Sequence, residues 1–254
     1  MDRMTIETHP DKEAVCFSAA CEIVSCAAIA ISERGRFTLA LSGGSTPKRL
    51  YEILAEDFQD QVEWPKVHFF WGDERSVPPD HDNCNFDMAT EALEPLKLDD
   101  SRIHRMEADR EDRDAAASEY QAKIASIFGV DAEGDPPAFD MILLGMGPDG
   151  HTASLFPETD ALSVTDKWVT PNFVPKFDTW RMTFTRPLIN QAEEVLFLVA
   201  GADKADPLFE VFTGPPEPQR LPSQLIRPQG HRSGYVDSDA VARLIAGIAG
   251  ANDV

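Results

Sequence analysis

Four apolar residues, Met141, Ile142, Leu143 and Leu144, run directly into three glycines within six positions, Gly145, Gly147 and Gly150. A short run that is apolar on both faces reads as a strand buried inside a parallel sheet. The glycines let the backbone turn sharply at its end and come close to a ligand. Asp149 and His151 stand at the end of that turn, two residues apart. Ligands of open α/β sheets bind just beyond the carboxyl ends of strands, so chemistry is expected at this junction.

Gly145-x-Gly147-x-x-Gly150 after a strand also fits the dinucleotide fingerprint. Three residues count against it. Asp149 would set a negative charge beside a pyrophosphate, Pro148 removes a backbone N–H, and Pro157 keeps any following helix too short to supply a useful dipole.

The same pattern of strand and turn recurs. Phe37–Leu41 reads as a buried strand and leads into Ser42-Gly43-Gly44-Ser45-Thr46-Pro47, followed by a helical stretch over 48–54. Bare backbone N–H groups and the positive end of a helix suit a phosphate at such a turn. An ordinary strand-to-helix connection uses Gly and Ser for turn geometry as well, and no Walker spacing follows. Val67–Trp71 ends in Gly72-Asp73-Glu74-Arg75, which places Asp73 and Arg75 either in the same crevice or in a solvated loop. A further buried strand over 195–200 ends in Gly201-Ala202-Asp203-Lys204. Helices are expected over 11–34 (with Asp11 and Gly35 as caps), 87–96, 112–128 and 239–249, short strands over 168–170 and 181–185, and a proline-rich loop over 215–222. The repeated order of strand, loop and helix argues for one α/β domain over 1–254 with a largely parallel sheet.

Charge narrows the partners. Against 44 acidic residues stand 23 basic ones, a net charge of −21 with no Lys/Arg cluster, so nucleic-acid binding is not expected. Acidity on this scale suits salt adaptation or solubility; a solvated surface without functional meaning is the simpler reading. No apolar run of about 18 residues stands out, so no membrane span is expected, and the first ten residues lack a signal-peptide core. Cys16, Cys21 and Cys26 are five apart in a helical stretch, which turns successive thiols by roughly 140° and does not align them as metal ligands. Buried or partly buried free thiols in a reducing cytoplasm are expected.

Taken together, Leu41-Ser42-Gly43-Gly44-Ser45-Thr46-Pro47, Trp71-Gly72-Asp73-Glu74-Arg75, the segment from Gly145 through Asp149, His151 and Phe156 to Pro157, and Arg181-Met182-Thr183-Phe184-Thr185 resemble the 6-phosphogluconolactonase family, in that family's order. The turn over 42–47 is shared with the related glucosamine-6-phosphate deaminases. The resemblance implies an α/β/α modified Rossmann fold with a doubly wound sheet. It also implies hydrolysis of 6-phospho-D-glucono-1,5-lactone to 6-phosphogluconate, the second step of the oxidative pentose phosphate pathway, with no metal or organic cofactor. Departures at Cys84, where the family often has Ser, and at Tyr235, where it has Trp, look peripheral.

A lactone carbonyl needs an activated water, a site for the developing oxyanion and a proton for the leaving ring oxygen. One histidine can serve as base and then acid; His151 is the choice, in agreement with the family's role for it, and Asp149 is placed to hold its imidazole in one tautomer. The resemblance places Arg181, Lys204 and the backbone of Gly43, Gly44, Ser45 and Thr46, with Ser42 before them, around the substrate phosphate. Arg75 suits phosphate or oxyanion equally, and Asp73 is grouped with it at the catalytic end, its role open. The partner is a small sugar-phosphate lactone; monomer and homodimer are both open. The deaminases carry a glutamate five residues after the histidine, where this chain has Phe156. A non-catalytic sugar-phosphate sensor should have lost Asp149 or His151, and both are present.

Overall fold

The computed structural model describes residues 5–251. In chain order these form β1 (Thr5–His9), α1 (Lys12–Arg34), β2 (Phe37–Leu41), α2 (Ser45–Asp57), β3 (Val67–Trp71), β4 (Asp73–Arg75), α3 (Asn85–Leu93), β5 (Ile103–His104), α4 (Arg113–Phe128), β6 (Met141–Gly145), β7 (Val169–Val174), β8 (Thr179–Phe184), α5 (Arg186–Ile189), β9 (Glu194–Val199), α6 (Ala205–Thr213), β10 (His231–Asp237) and α7 (Ser238–Ala251). Seven strands make one sheet in the order β1-β10-β9-β6-β2-β3-β5, with every neighbouring pair parallel. Strands β4, β8 and β7 make a small antiparallel sheet. Helices flank the main sheet, so the class is α/β with a mostly parallel, modified Rossmann sheet, as the sequence indicates.

From β2 the chain builds outward through β3 to β5, then returns to lay β6 beside β2 and builds the other way through β9 and β10. The reversal lies between β2 and β6, where Leu39 and Ala40 pair with Met141 and Ile142. A doubly wound sheet opens a crevice at such a reversal, because the connections leave it on opposite sides. The loops that border it are those after Leu41 and after Gly145.

The helices start and stop where their sequences allow. The Asp11 carboxylate accepts the Ala14 N–H at 2.9 Å, and Gly35, at φ 73, ends α1 by donating to the Ile31 carbonyl. Helix α1 is, by length and composition alone, long and apolar enough to cross a membrane, a stretch that reading for apolar runs passes over. Its Val15, Ala19, Ile23, Ala27 and Ala30 are buried in the fold, the stripe of a core helix.

The structure departs from the sequence reading in several elements. Strands β1, β5 and β10 and helices α5 and α6 are not among the elements expected from the sequence. Strand β1 is an edge whose only buried residue is His9, and β10 opens on His-Arg-Ser-Gly, so neither carries an apolar run. Residues 73–75 are a strand rather than a loop, hydrogen-bonded to β8. Cys21 is exposed, whereas Cys16 is buried.

One buried polar cluster lies away from the crevice, between β3 and β5. Arg102 places Nη1 2.5 Å from His68 Nε2, and His68 Nδ1 lies 2.9 Å from His104 Nε2. Arginine can only donate, so His68 accepts at Nε2, carries its proton on Nδ1 and donates to His104. The chain of bonds therefore needs both imidazoles neutral. Burial, reinforced by Arg102, pushes His68 down to about 4; burial, then the charge of His68, does the same for His104. In the unfolded chain both titrate near the ordinary histidine value of about 6.5. The unfolded chain thus binds more protons between these values, and stability is lost as pH falls from neutrality toward 4. The His104→Gln variant is expected to lose less of its urea midpoint than the unsubstituted protein between pH 7 and pH 5; equal losses would contradict this account.

Candidate active site

The turn after β2 is fixed from below. Tyr51 Oη, on α2, accepts the Ser42 N–H at 2.9 Å and donates to the Ser42 carbonyl at 2.8 Å. Gly44, at φ 108, is the N-cap of α2 and supplies no capping side chain. Helix-initiating N–H groups at Ser45 and Thr46 therefore face the crevice without a side-chain acceptor. A Cβ on Gly43 would lie 1.9 Å from Asn85 Oδ1. The missing side chain is what lets Asn85 lie under the turn, where its Nδ2 donates to the Asp73 carbonyl at 3.1 Å.

The loop after β6 presents the histidine. Gly147 N–H donates to the His151 carbonyl at 2.9 Å, and Gly150, at φ 73, donates to the Gly147 carbonyl at 3.0 Å. This curls the chain until the His151 ring rests on Gly147, where a Cβ would lie 2.0 Å from Nδ1 and Cε1. Phe156 stacks on the imidazole, centroids 3.9 Å apart at 23°. His151 Nδ1 donates to Asp149 Oδ1 at 2.5 Å, which assigns the ring proton to Nδ1 and leaves Nε2 as the basic nitrogen. Asp149 also accepts from Lys176 Nζ at 2.8 Å through Oδ2. Burial alone would raise the Asp149 carboxyl; the hydrogen bonds from His151 and Lys176 outweigh it and hold the group well below the usual carboxylate range. No helix follows Gly150 before the 3₁₀ turn Asp160–Ser163, so the glycine pattern has no helix dipole to offer a dinucleotide.

The small sheet brings the positive charge. Its register sets Arg75 directly opposite Arg181, and Asp73 opposite Thr183. Like charges facing each other across an antiparallel pair repel. Burial and the charge of Arg75 lower the Arg181 guanidinium, Asp73 working the other way. Arg75 donates to the Asn83 carbonyl at 2.8 Å. Among the described residues neither guanidinium has a carboxylate partner within ion-pair distance. Asp73 is buried and accepts the Ser154 hydroxyl at 2.6 Å. Lys204 ends the 3₁₀ turn after β9, paired with Asp203 at 2.7 Å. The Asp237 carboxylate anchors that turn by accepting the Gly201 N–H at 2.9 Å.

These elements enclose a cavity of about 430 Å³ lined by Ser42, Gly43, Gly44, Ser45, Thr46, Asp73, Arg75, His151, Arg181 and Lys204. Of the residues singled out in the sequence, Asp149 alone lies behind the wall, in contact with the outer nitrogen of His151. Asn85 lines the cavity although the sequence reading did not select it. Cys84, which looked peripheral, is the buried residue just before it. The signal for Asn85 was its match to the Ser-Asn that the family often has where this chain has Cys84-Asn85, and nothing in the sequence joins it to Gly43.

Comparison with known proteins identifies the family and the fold. The family model of glucosamine-6-phosphate isomerases/6-phosphogluconolactonase matches residues 10–234. A 6-phosphogluconolactonase of Synechocystis sp. is 48% identical over 216 residues, covering 85% of this chain and 88% of that protein. One from Nostoc sp. is 42% identical over 243 residues, covering 95% and 99%. The solved structure of 6-phosphogluconolactonase from Trypanosoma cruzi superposes with a TM-score of 0.85 at 29% identity, covering 96% of this chain and 97% of that one.

Because the imidazole occupies the space a Cβ would take, Gly147→Ala must push the ring out. Overpacking of this kind typically costs about 1–3 kcal/mol. A crystal structure of the variant is expected to show the Asp149–His151 contact broken; a ring still in place would refute the role given to Gly147.

Proposed function

This chain belongs to the glucosamine-6-phosphate isomerase/6-phosphogluconolactonase family, and from that premise we propose that it hydrolyses a sugar-phosphate lactone, specifically 6-phospho-D-glucono-1,5-lactone, to 6-phosphogluconate. That is the second step of the oxidative pentose phosphate pathway. The observation that carries the reading is the meeting of two features in one cavity. Among the described residues, a histidine held by Asp149 has no partner on its second nitrogen, and two arginines face each other with no carboxylate in ion-pair distance.

In this mechanism Nε2 of His151 takes a proton from water, and the hydroxide oxygen bonds to C1 of the lactone. Asp149 stabilises the imidazolium that forms. The carbonyl electrons move onto oxygen, and Arg75, which lines the cavity, is assigned to meet that charge. Collapse of the tetrahedral centre breaks the bond from C1 to the ring oxygen, which leaves with the proton from Nε2. The carboxylic acid then ionises. Arg181, Lys204 and the N–H groups that open α2 hold the phosphate, and fix C1 against the water.

The related deaminase reaction is the alternative within the family. By the resemblance it uses a glutamate five residues beyond the histidine. Here Phe156 occupies that position and stacks on the imidazole, so that position supplies no carboxylate to relay a proton. This favours hydrolysis.

His151→Gln is expected to lower kcat by about 10²–10⁴-fold, and a variant within about threefold of the unsubstituted enzyme would remove His151 from the mechanism. Arg181→Ala separates phosphate from oxyanion. Losing a charge-assisted bond to phosphate should cost about 1.5–3 kcal/mol in kcat/KM on the phosphorylated lactone. On gluconolactone the loss should be much smaller. Equal losses on both substrates would assign Arg181 elsewhere.

A further inference from the structure

We propose that Lys176 is a positioning residue: by holding the second oxygen of Asp149 it limits how firmly that carboxylate keeps a proton on His151. The kinetic half of this proposal rests on the lactonase reading above. Lys176 is remote in sequence from the loop it touches and reaches it from the tip of the β7–β8 hairpin. That tip is shaped by the 3₁₀ turn Pro175–Phe177 and by Asp178 at φ 47. It makes two contacts with the catalytic loop. Lys176 Nζ lies 2.8 Å from Asp149 Oδ2, and the Phe177 ring meets Phe156 edge-on, centroids 5.7 Å apart. Phe156 is the ring stacked on His151. One hairpin thus supports both partners of the imidazole.

The electrostatic consequence has a definite sign. The Lys176 ammonium repels an imidazolium held by the same carboxylate, so the net stabilisation of that imidazolium is smaller than Asp149 alone would give. With Lys176 present, Asp149 orients His151 without fully trapping it as the imidazolium, which a base that must be neutral before each turnover requires. The other charges facing this cavity are Asp73 and Arg75 from β4, Arg181 from β8, and Asp203 with Lys204 after β9. Among the described residues only His151 and Lys176 donate a side-chain hydrogen bond to Asp149. Lys176 is about half exposed, so solvent screens part of its effect.

The test compares Lys176→Met, Lys176→Arg and Asp149→Asn with the unsubstituted protein. The first readout is the NMR titration of the His151 imidazole in free protein, which needs no catalysis. The second is the acid limb of kcat/KM against pH on the phosphorylated lactone. Lys176→Met is expected to move the His151 titration up by on the order of 0.5–1 pH unit, with the acid limb following. Lys176→Arg should restore the original position, and Asp149→Asn should move it down. A lysine that merely ties the hairpin in place gives a different result. Its loss would loosen the Asp149–His151 bond and leave the titration unchanged or lower. Either of those outcomes for Lys176→Met overturns the proposal. Should the unsubstituted protein fail to open the lactone, the lactonase reading falls, while the NMR titration still decides the role of Lys176.

Discussion

The pairing of β2 with β6 at the centre of the main sheet is the constraint on which the site depends. Both strands are buried between helices, and the chain leaves them in opposite directions. Whatever follows Leu41 and Gly145 is therefore delivered to one crevice. Sequence at those two points can then be spent on chemistry: a turn that bares N–H groups after β2, and a turn that folds His151 over Gly147 after β6. The small antiparallel sheet does the rest. It runs off the end of β3 through Gly72, whose carbonyl accepts the Phe184 N–H at 2.7 Å, so that the arginines are docked onto the same opening.

An acidic chain gathers positive charge at the cavity by setting two arginines there without a carboxylate partner among the described residues. Arg34, Arg49, Arg105, Arg110, Arg220 and Arg243 each meet a carboxylate. Among the described residues Arg75 and Arg181 do not, a trait shared with Arg36, Arg102, Arg113, Arg186 and Arg227, but these two line the cavity and face each other. Two half-desolvated like charges are a local cost that a bound dianion relieves. A surplus of carboxylates over the rest of the surface leaves the cavity as a local exception in sign. Asp149 fits the same pattern, because its charge is consumed by His151 and Lys176 before it can repel a substrate.

Much of this was legible in the sequence, and the reason is local. A buried parallel strand that ends in glycine announces both its own position and the loop after it, so β2, β3, β6 and β9 could be read with their turns. His151 and the residues of the 42–46 turn came with them. Pairings across the chain were not legible. That Arg75 faces Arg181 follows from the register of β4 on β8, and residues 73–75 read as a loop because three charged residues carry no strand pattern. Asn85 enters the cavity only because Gly43 has no side chain, and Lys176 reaches Asp149, behind the cavity wall, only because a hairpin folds back on the loop after β6. The edge strand β1 has too little buried surface to leave an apolar signature.

The central claim is that the His151 imidazole and a phosphate-binding turn act together on a lactone. The most direct measurement follows freshly generated 6-phosphogluconolactone with and without the protein, with glucosamine 6-phosphate as the parallel substrate. The account predicts lactone opening far above the spontaneous rate and no ammonia from the amino sugar. Opening at the spontaneous rate, or release of ammonia, would contradict it.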